Sequence, residues 1–227
     1  MALFLGLAYV VTVKGASFWG PQIARTFDLT EEANVPTWFS SSLWLVAAFL
    51  AFVIFQMHRD RGYPNSAYWI GLVRLGLVLS AGDAGTIHES VGDILGRHLE
   101  GAAVLKFTFA GVFFGLGLLL AVGLLYLRFL IRLERRVRFF LILSAGLFVL
   151  GAVVVESIGA AVWLGTLERF PLGQNWPRMI LYEELLEMLG VILLIHTFLR
   201  VVALDEAPYT AGAERLTQHS SPDGAGR

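Results

Sequence analysis

The amino-acid sequence predicts an all-α fold, a polytopic bundle of about six transmembrane helices. Of the 227 residues, 56% are hydrophobic and 15% are charged, and the mean hydropathy is +0.69, whereas soluble domains carry about a quarter charged residues. Several apolar runs reach or approach the roughly 20 residues that cross the hydrocarbon core of a bilayer as a helix. Because these runs are continuously apolar rather than alternating, they favour helices over the strands of a barrel.

The apolar runs define the predicted spans and the domain boundary. The spans are placed at 1–20, 37–57, 66–95, 102–127, 139–166 and 178–203. The first run lacks a basic start and a cleavage site, so it is interpreted as a span rather than a signal peptide. Residues 1–206 are predicted to form one transmembrane helical domain, and the polar segment 207–227 is predicted to be a disordered cytoplasmic tail.

Basic residues are distributed unevenly between the loops of this topology. Ten lie on the side that holds the loops after the second and fourth spans and the C-terminal segment, and six lie in the opposite loops. The positive-inside rule then predicts that both termini are cytoplasmic. Most of this asymmetry in basic residues comes from the loop with Arg128, Arg132, Arg135, Arg136 and Arg138. The predicted location is a bacterial-type plasma (inner) membrane.

Composition excludes several classes of function. The chain has no cysteine, which excludes disulfides, iron–sulfur clusters and thiol catalysis. A net charge of −1 provides no basic surface for nucleic acid. The predicted partner is membrane lipid, with a homo-oligomer or a larger membrane complex as further options.

Ionisable residues inside the predicted spans are mostly acidic. Each charged residue costs about 2.5–3.5 kcal/mol at the centre of a membrane helix and therefore indicates a function. The candidate site residues are Asp83, His88 and Glu89 in the third span, Glu156 in the fifth, and Glu183, Glu184 and Glu187 in the sixth.

Helix geometry places these acids at a similar depth. At 1.5 Å per residue, Asp83 lies roughly 25 Å along the third span and Glu156 roughly 27 Å along the fifth, and both spans run outward. Glu183 to Glu187 lie only about 8–14 Å below the start of the inward-running sixth span. The acids are therefore predicted to converge near the non-cytoplasmic face. Arg74 lies about 14 Å from Asp83 on the same helix, too far to neutralise the whole group.

Clustered carboxyl groups with few bases must share protons or bind a cation. We therefore predict a site for a divalent metal ion, and its oxygen and imidazole donors suit iron, manganese, zinc or calcium. A cation- or proton-coupled transporter, a membrane-embedded metal-dependent hydrolase and a structural subunit of a larger complex are the alternatives. The sequence leaves open whether the chain is an enzyme.

Two further histidines are predicted to lie near the opposite side of the membrane. His58 is interpreted as an interfacial residue beside Arg59, and His196 as an interhelical hydrogen-bonding residue. The glycines of the third to fifth spans are typical of close packing between helices.

Short segments resemble the alkaline ceramidase group of seven-span metal hydrolases. These are Glu32-Ala-Asn34, Trp38-Phe39-Ser40-Ser41 and the run Gly-Asp-Ala-Gly-Thr-Ile-His that ends at His88. The late His-x-x-x-His pair of that group is missing, and Glu183-x-x-x-Glu187 occupies the comparable place. The resemblance covers about a fifth of the chain and implies a zinc-type hydrolase, the basis of that alternative.

Overall fold

The computed structural model describes residues 2–14, 20, 25–29, 34–63, 66–85, 109–163 and 176–219. Every regular element in these ranges is helical, so the predicted all-α class is confirmed. The helices are α1 (Ala2–Lys14), α2 (Val35–Asp60), α3 (Ser66–Ala84), α4 (Phe109–Arg132), α5 (Arg135–Val149), a π-helical turn (Leu150–Val155), α6 (Glu156–Trp163) and α7 (Trp176–His219).

Among the described residues, three helices are long and apolar enough to cross a membrane. They are Val35–Asp60, Arg135–Gly159 and Met179–Leu204, which overlap the second, fifth and sixth predicted spans. Large apolar side chains also lie on the outer surface, where Phe49 is 64% exposed and Leu124 is 73% exposed. A bilayer would cover such a surface. The count of six spans and the orientation of the termini stay predictions.

Two helices differ in length from the predicted spans. α7 continues to His219, beyond residue 206, where the boundary between the transmembrane domain and the polar tail was predicted. That division stays a prediction. α3 ends at Ala84, and the remainder of the third predicted span, 86–95, lies outside the described residues.

α7 lies at the centre of the described bundle. It packs against α1, α2, α5, the π turn and α6, while α2 and α3 form an antiparallel pair. Ser41 Oγ donates to Ser80 O and Ser80 Oγ donates to Ser41 O, both at 3.0 Å. Each hydroxyl thus satisfies a backbone carbonyl of the neighbouring helix, which links α2 to α3 where no water is available.

The start of α2 is fixed by the buried side chain of Asn34. Its Oδ1 accepts a hydrogen bond from Thr37 N at 2.8 Å, and its Nδ2 donates to Asp28 O at 2.5 Å. The first bond satisfies a backbone N–H that the first helical turn leaves without a partner, and a cap of this kind contributes about 1 kcal/mol.

The end of the bundle where α2 ends and α3 begins is filled by rings. The ring of Trp69 meets those of Phe129 at 5.4 Å and Phe198 at 5.6 Å, both edge to face. The His58 ring lies 5.1 Å from Tyr63 and 5.6 Å from Trp69. We name this group the aromatic cluster; it also includes Tyr68 and Tyr126. His58, predicted to be interfacial, is thus half-buried between two rings because its face of α2 turns toward α3.

Candidate functional site

The structure gathers five of the seven predicted site residues at the end of the bundle where α3 ends and α7 begins. The Glu187 carboxyl interacts electrostatically with the other four carboxyl groups. Asp83 also acts on Glu184, and Glu156 acts on Glu183. We name these five residues the carboxyl cluster: Asp83, Glu156, Glu183, Glu184 and Glu187.

A glycine allows α7 to approach the π turn at the level of the carboxyl cluster. A Cβ atom at Gly151 would lie 2.8 Å from the Glu183 carbonyl oxygen and 2.9 Å from the Glu187 Cγ. Both distances are shorter than real Cβ contacts, and the first involves backbone that cannot move aside. The missing side chain is therefore what brings the two helices into contact at the acids.

A second glycine repeats this contact two turns further along. A Cβ atom at Gly190 would lie 2.8 Å from Phe148 N and 2.9 Å from Ser144 O. Ser144 Oγ donates a 2.7 Å hydrogen bond to the Gly190 carbonyl. Small residues on both helices permit this close packing, which is typical of helix pairs in membranes. The antiparallel register of α5 and α7 is thereby fixed on both sides of Glu187.

The π turn carries Gly151 and ends directly before Glu156. The Glu156 backbone N–H donates to the carbonyl of Gly151, five residues earlier, which is the π-helical bond. The Ser157 hydroxyl donates to Val153 O within the same segment. A π turn inside a longer helix is a rare feature that often marks a functional site. Here it sets the direction in which the Glu156 side chain projects from the helix.

Asp83 reaches the carboxyl cluster from a helix that is anchored elsewhere. It lies one turn beyond Ser80, the residue of α3 that is bonded to Ser41. Trp69 of the same helix contacts Phe198, and the steps from Trp69 to Asp83 and from Glu184 to Phe198 are both fourteen residues. Fourteen residues rise about 21 Å along a helix, so the ring contact of Trp69 with Phe198 and the electrostatic interaction of Asp83 with Glu184 are consistent with one antiparallel arrangement of α3 and α7.

The described surroundings do not neutralise the carboxyl groups of α6 and α7. No hydrogen bond or ion pair within the described part of the chain involves the side chains of Glu156, Glu183, Glu184 or Glu187. Arg74, the basic residue of α3, is exposed. Like charges repel strongly in a medium of low dielectric constant, and the described part of the chain places no opposite charge beside these four glutamates.

The described residues contain no group of three or more His, Asp or Glu side chains already close enough to hold a metal ion. Two predicted ligands, His88 and Glu89, lie outside the described residues. The carboxyl groups of the cluster therefore lie further apart than the ligands of one metal ion, although they interact electrostatically. The ligand set stays a prediction.

Sequence reasoning missed the residues that hold the cluster together. The π turn, the contact of Gly151 with α7 and the Ser144–Gly190 bond were not predicted individually. One signal was present, since small residues recur seven positions apart at Ser144 and Gly151 and so share a helix face. Their partner on α7 cannot be read from local periodicity.

The fold and the carboxyl cluster define a class: an all-helical protein with membrane-length apolar helices and acids gathered at one end. The chain belongs to the family described as a domain of unknown function, DUF8692, which matches residues 2–202. No curated protein and no solved structure gives a significant match to the chain.

Proposed function

We propose that this chain is a multi-pass membrane protein that binds a divalent cation at the carboxyl cluster. The observation that carries the proposal is the convergence of α3, the π turn with α6, and α7 on Glu187, where the four glutamates of α6 and α7 have no ion pair with a described base. A bound divalent cation offsets the repulsion among carboxylates and supplies the ligands' missing counter-charge.

Glu156 and Glu187 are the proposed core of the ligand set. They come from different helices, and Gly151 sets the separation of those helices. Glu183, Glu184 and Asp83 are the neighbouring carboxyl donors, and His88 and Glu89 follow α3 in the chain. Oxygen donors with one imidazole suit iron, manganese, zinc or calcium.

Metal binding by the purified full-length chain tests the proposal. The protein in detergent would be equilibrated with Fe²⁺, Mn²⁺, Zn²⁺ or Ca²⁺ in turn, separated from free ion and analysed by elemental mass spectrometry. We expect stoichiometric retention of at least one of these ions. Glu156→Gln and Glu187→Gln should each lower the metal content while the protein still inserts into the membrane, because an amide is a poorer ligand than a carboxylate.

Glu134→Gln is the matched control for both variants. Glu134 is an exposed acid between α4 and α5, so its amide variant should retain as much metal as the wild type. Equal losses in all three variants would indicate adventitious binding. If the wild type retains none of the four ions, the divalent-cation proposal is wrong.

One observation favours a second candidate, a proton-binding network that serves a proton-coupled transporter. Because no three described acidic or histidine side chains are within metal-holding distance, shared protons are the simpler way to remove the charge. Infrared difference spectra would then contain a protonated-carboxyl band that Glu187→Gln diminishes. One cavity of the described core beyond the cluster has a volume of about 20 Å³ and is lined by residues such as Trp44 and Phe198. It accepts about one water molecule and so does not by itself form a proton path.

The proposal includes six spans, with both termini in the cytoplasm and the carboxyl cluster toward the other side of a bacterial-type plasma membrane. It is supported by the excess of basic residues, ten against six, on the side assigned to the cytoplasm. Reporter fusions after Arg136 and after the C-terminus should both read as cytoplasmic. A periplasmic signal at the C-terminus would reverse the orientation or change the span count.

A further inference from the structure

A basic groove lies between the first turns of α5 and the later part of α7. It has a volume of about 530 Å³ and is lined by Arg135, Arg136, Phe139, Phe140 and Arg200. Arg200 is held in place by Phe140, whose ring centroid lies 5.5 Å from the guanidinium carbon. This cation–π contact orients one wall of the groove without neutralising its charge.

The groove lies at one boundary of the apolar part of the molecule. The apolar stretch Arg135–Gly159 begins at Arg135 of the groove, and the stretch Met179–Leu204 ends four residues after Arg200. The headgroups of lipids occupy this depth in a bilayer. Phe139, 60% exposed, extends the groove toward the hydrocarbon side.

The guanidinium groups of the groove are available to a ligand. None of the described acidic side chains forms an ion pair with Arg135, Arg136 or Arg200, in contrast to Arg59, which pairs with Asp60 at 3.3 Å. Glu134, next to Arg135 in the chain, is exposed to solvent. Guanidinium groups bind phosphate oxygens in a bidentate manner and are weakly hydrated, which suits them to phosphate at a membrane surface.

We propose that this groove binds the headgroup of an anionic phospholipid, with its phosphate between Arg136 and Arg200 and its glycerol and first acyl carbons against Phe139 and Phe140. The groove should bind such a lipid in preference to a zwitterionic one, because it combines three arginines with an apolar wall at the membrane boundary. The groove is formed by the same two helices, α5 and α7, whose continuation carries the carboxyl cluster, so lipid binding would also strengthen their contact.

Native mass spectrometry of the full-length protein from nanodiscs containing equal amounts of phosphatidylglycerol and phosphatidylcholine tests the proposal. The wild type should retain phosphatidylglycerol preferentially. Arg136→Gln and Arg200→Gln should each lower that retention about fivefold, the effect of one basic residue near a lipid surface. Arg128→Gln, which removes an exposed arginine of α4 outside the groove, should leave it unchanged.

The remaining arms separate a lipid site from other anion sites and from misfolding. Inorganic phosphate in millimolar excess should not displace the lipid; displacement would mean a soluble phosphate site and overturn the proposal. Equal retention of both lipids, or an equal loss in Arg128→Gln, would also overturn it. Arg200→Lys should keep most of the preference, and added phosphatidylglycerol should raise the Tm of the wild type more than that of Arg200→Gln. Equal shifts in Tm would contradict a site at Arg200.

Discussion

The two ends of the helical bundle share the helices α3 and α7 and differ in how their side chains are satisfied. At one end, α3 and α7 contribute Trp69 and Phe198 to the aromatic cluster, where burial of the rings stabilises the fold. Fourteen residues further, they contribute Asp83 and Glu184 to the carboxyl cluster, where like charges repel. The aromatic cluster therefore stabilises the fold, and repulsion within the carboxyl cluster destabilises it.

The carboxyl cluster is tolerated because other residues hold its helices together. Its residues do not hold the helices together; Gly151, Gly190 and Ser144 do, through backbone contacts that do not depend on charge. Packing of small residues thus fixes the geometry, and the acids occupy positions that packing leaves for them. Functional sites in many proteins are similarly held by surroundings that are more stable than the site itself.

The largest expected effect comes from breaking the aromatic end. Trp69→Ala should lower the free energy of unfolding by about 3–5 kcal/mol, because Trp69 is fully buried and its removal leaves a cavity. Denaturant titration in detergent measures this. Trp38→Ala, at a residue that is 67% exposed, should cost under about 1 kcal/mol. Metal or proton binding at the other end should persist in the folded fraction; loss of both together would mean that the ends are coupled.

The next effect comes from separating α7 from the π turn. Gly151→Ala should lower the free energy of unfolding by about 1–3 kcal/mol, because its Cβ would lie 2.8 Å from a backbone oxygen. Gly146→Ala lies in open space on α5 and should stabilise the protein by up to about 1 kcal/mol through helix propensity. Equal responses in thermal unfolding would contradict the close helix contact.

Removing the charge of Glu187 should have a smaller effect on the free energy of unfolding, and its sign should depend on whether a divalent ion is bound at the carboxyl cluster. With chelator present, Glu187→Gln should raise the free energy of unfolding by about 1 kcal/mol, because a neutral amide replaces a partly buried carboxylate that its neighbours repel. With a bound divalent ion, the same variant should be less stable than the wild type, because a ligand is lost. The thermal unfolding of both proteins in both conditions checks this. A destabilising effect under chelator would mean that Glu187 is held by attraction.

The smallest effect is expected where α2 and α3 are joined. Ser80→Ala removes the hydrogen bond from Ser80 Oγ to the Ser41 carbonyl and keeps the bond from Ser41 Oγ to the Ser80 carbonyl. It should cost about 0.6 kcal/mol, the average for interhelical bonds in membranes. Ser42→Ala is the control, since Ser42 Oγ donates to the carbonyl of Trp38 in its own helix. A larger loss for Ser42→Ala would mean that the serine pair does not hold Asp83 in place.

Local sequence patterns predict much of the fold and part of the candidate site. Apolar runs predicted the spans that include α2, α5 and α7, because hydropathy and length depend on neighbouring residues alone. The rise per residue placed Asp83, Glu156 and Glu187 at one depth for the same reason. The partner of Gly151 and the rings around His58 depend on contacts between helices far apart in the sequence, and a single sequence contains no record of those pairs.

The π turn has a consequence for how the charge of the site can change. A helix with such a turn contains one residue more than α-helical bonding requires, and shifting that surplus along the chain rotates the intervening residues by about 100°. Glu156 is the first residue after the turn. Migration of the surplus past it would rotate its carboxyl away from Glu183 while Ser144 stays bonded to Gly190, so a slip of one residue would alter the site without any movement of whole helices.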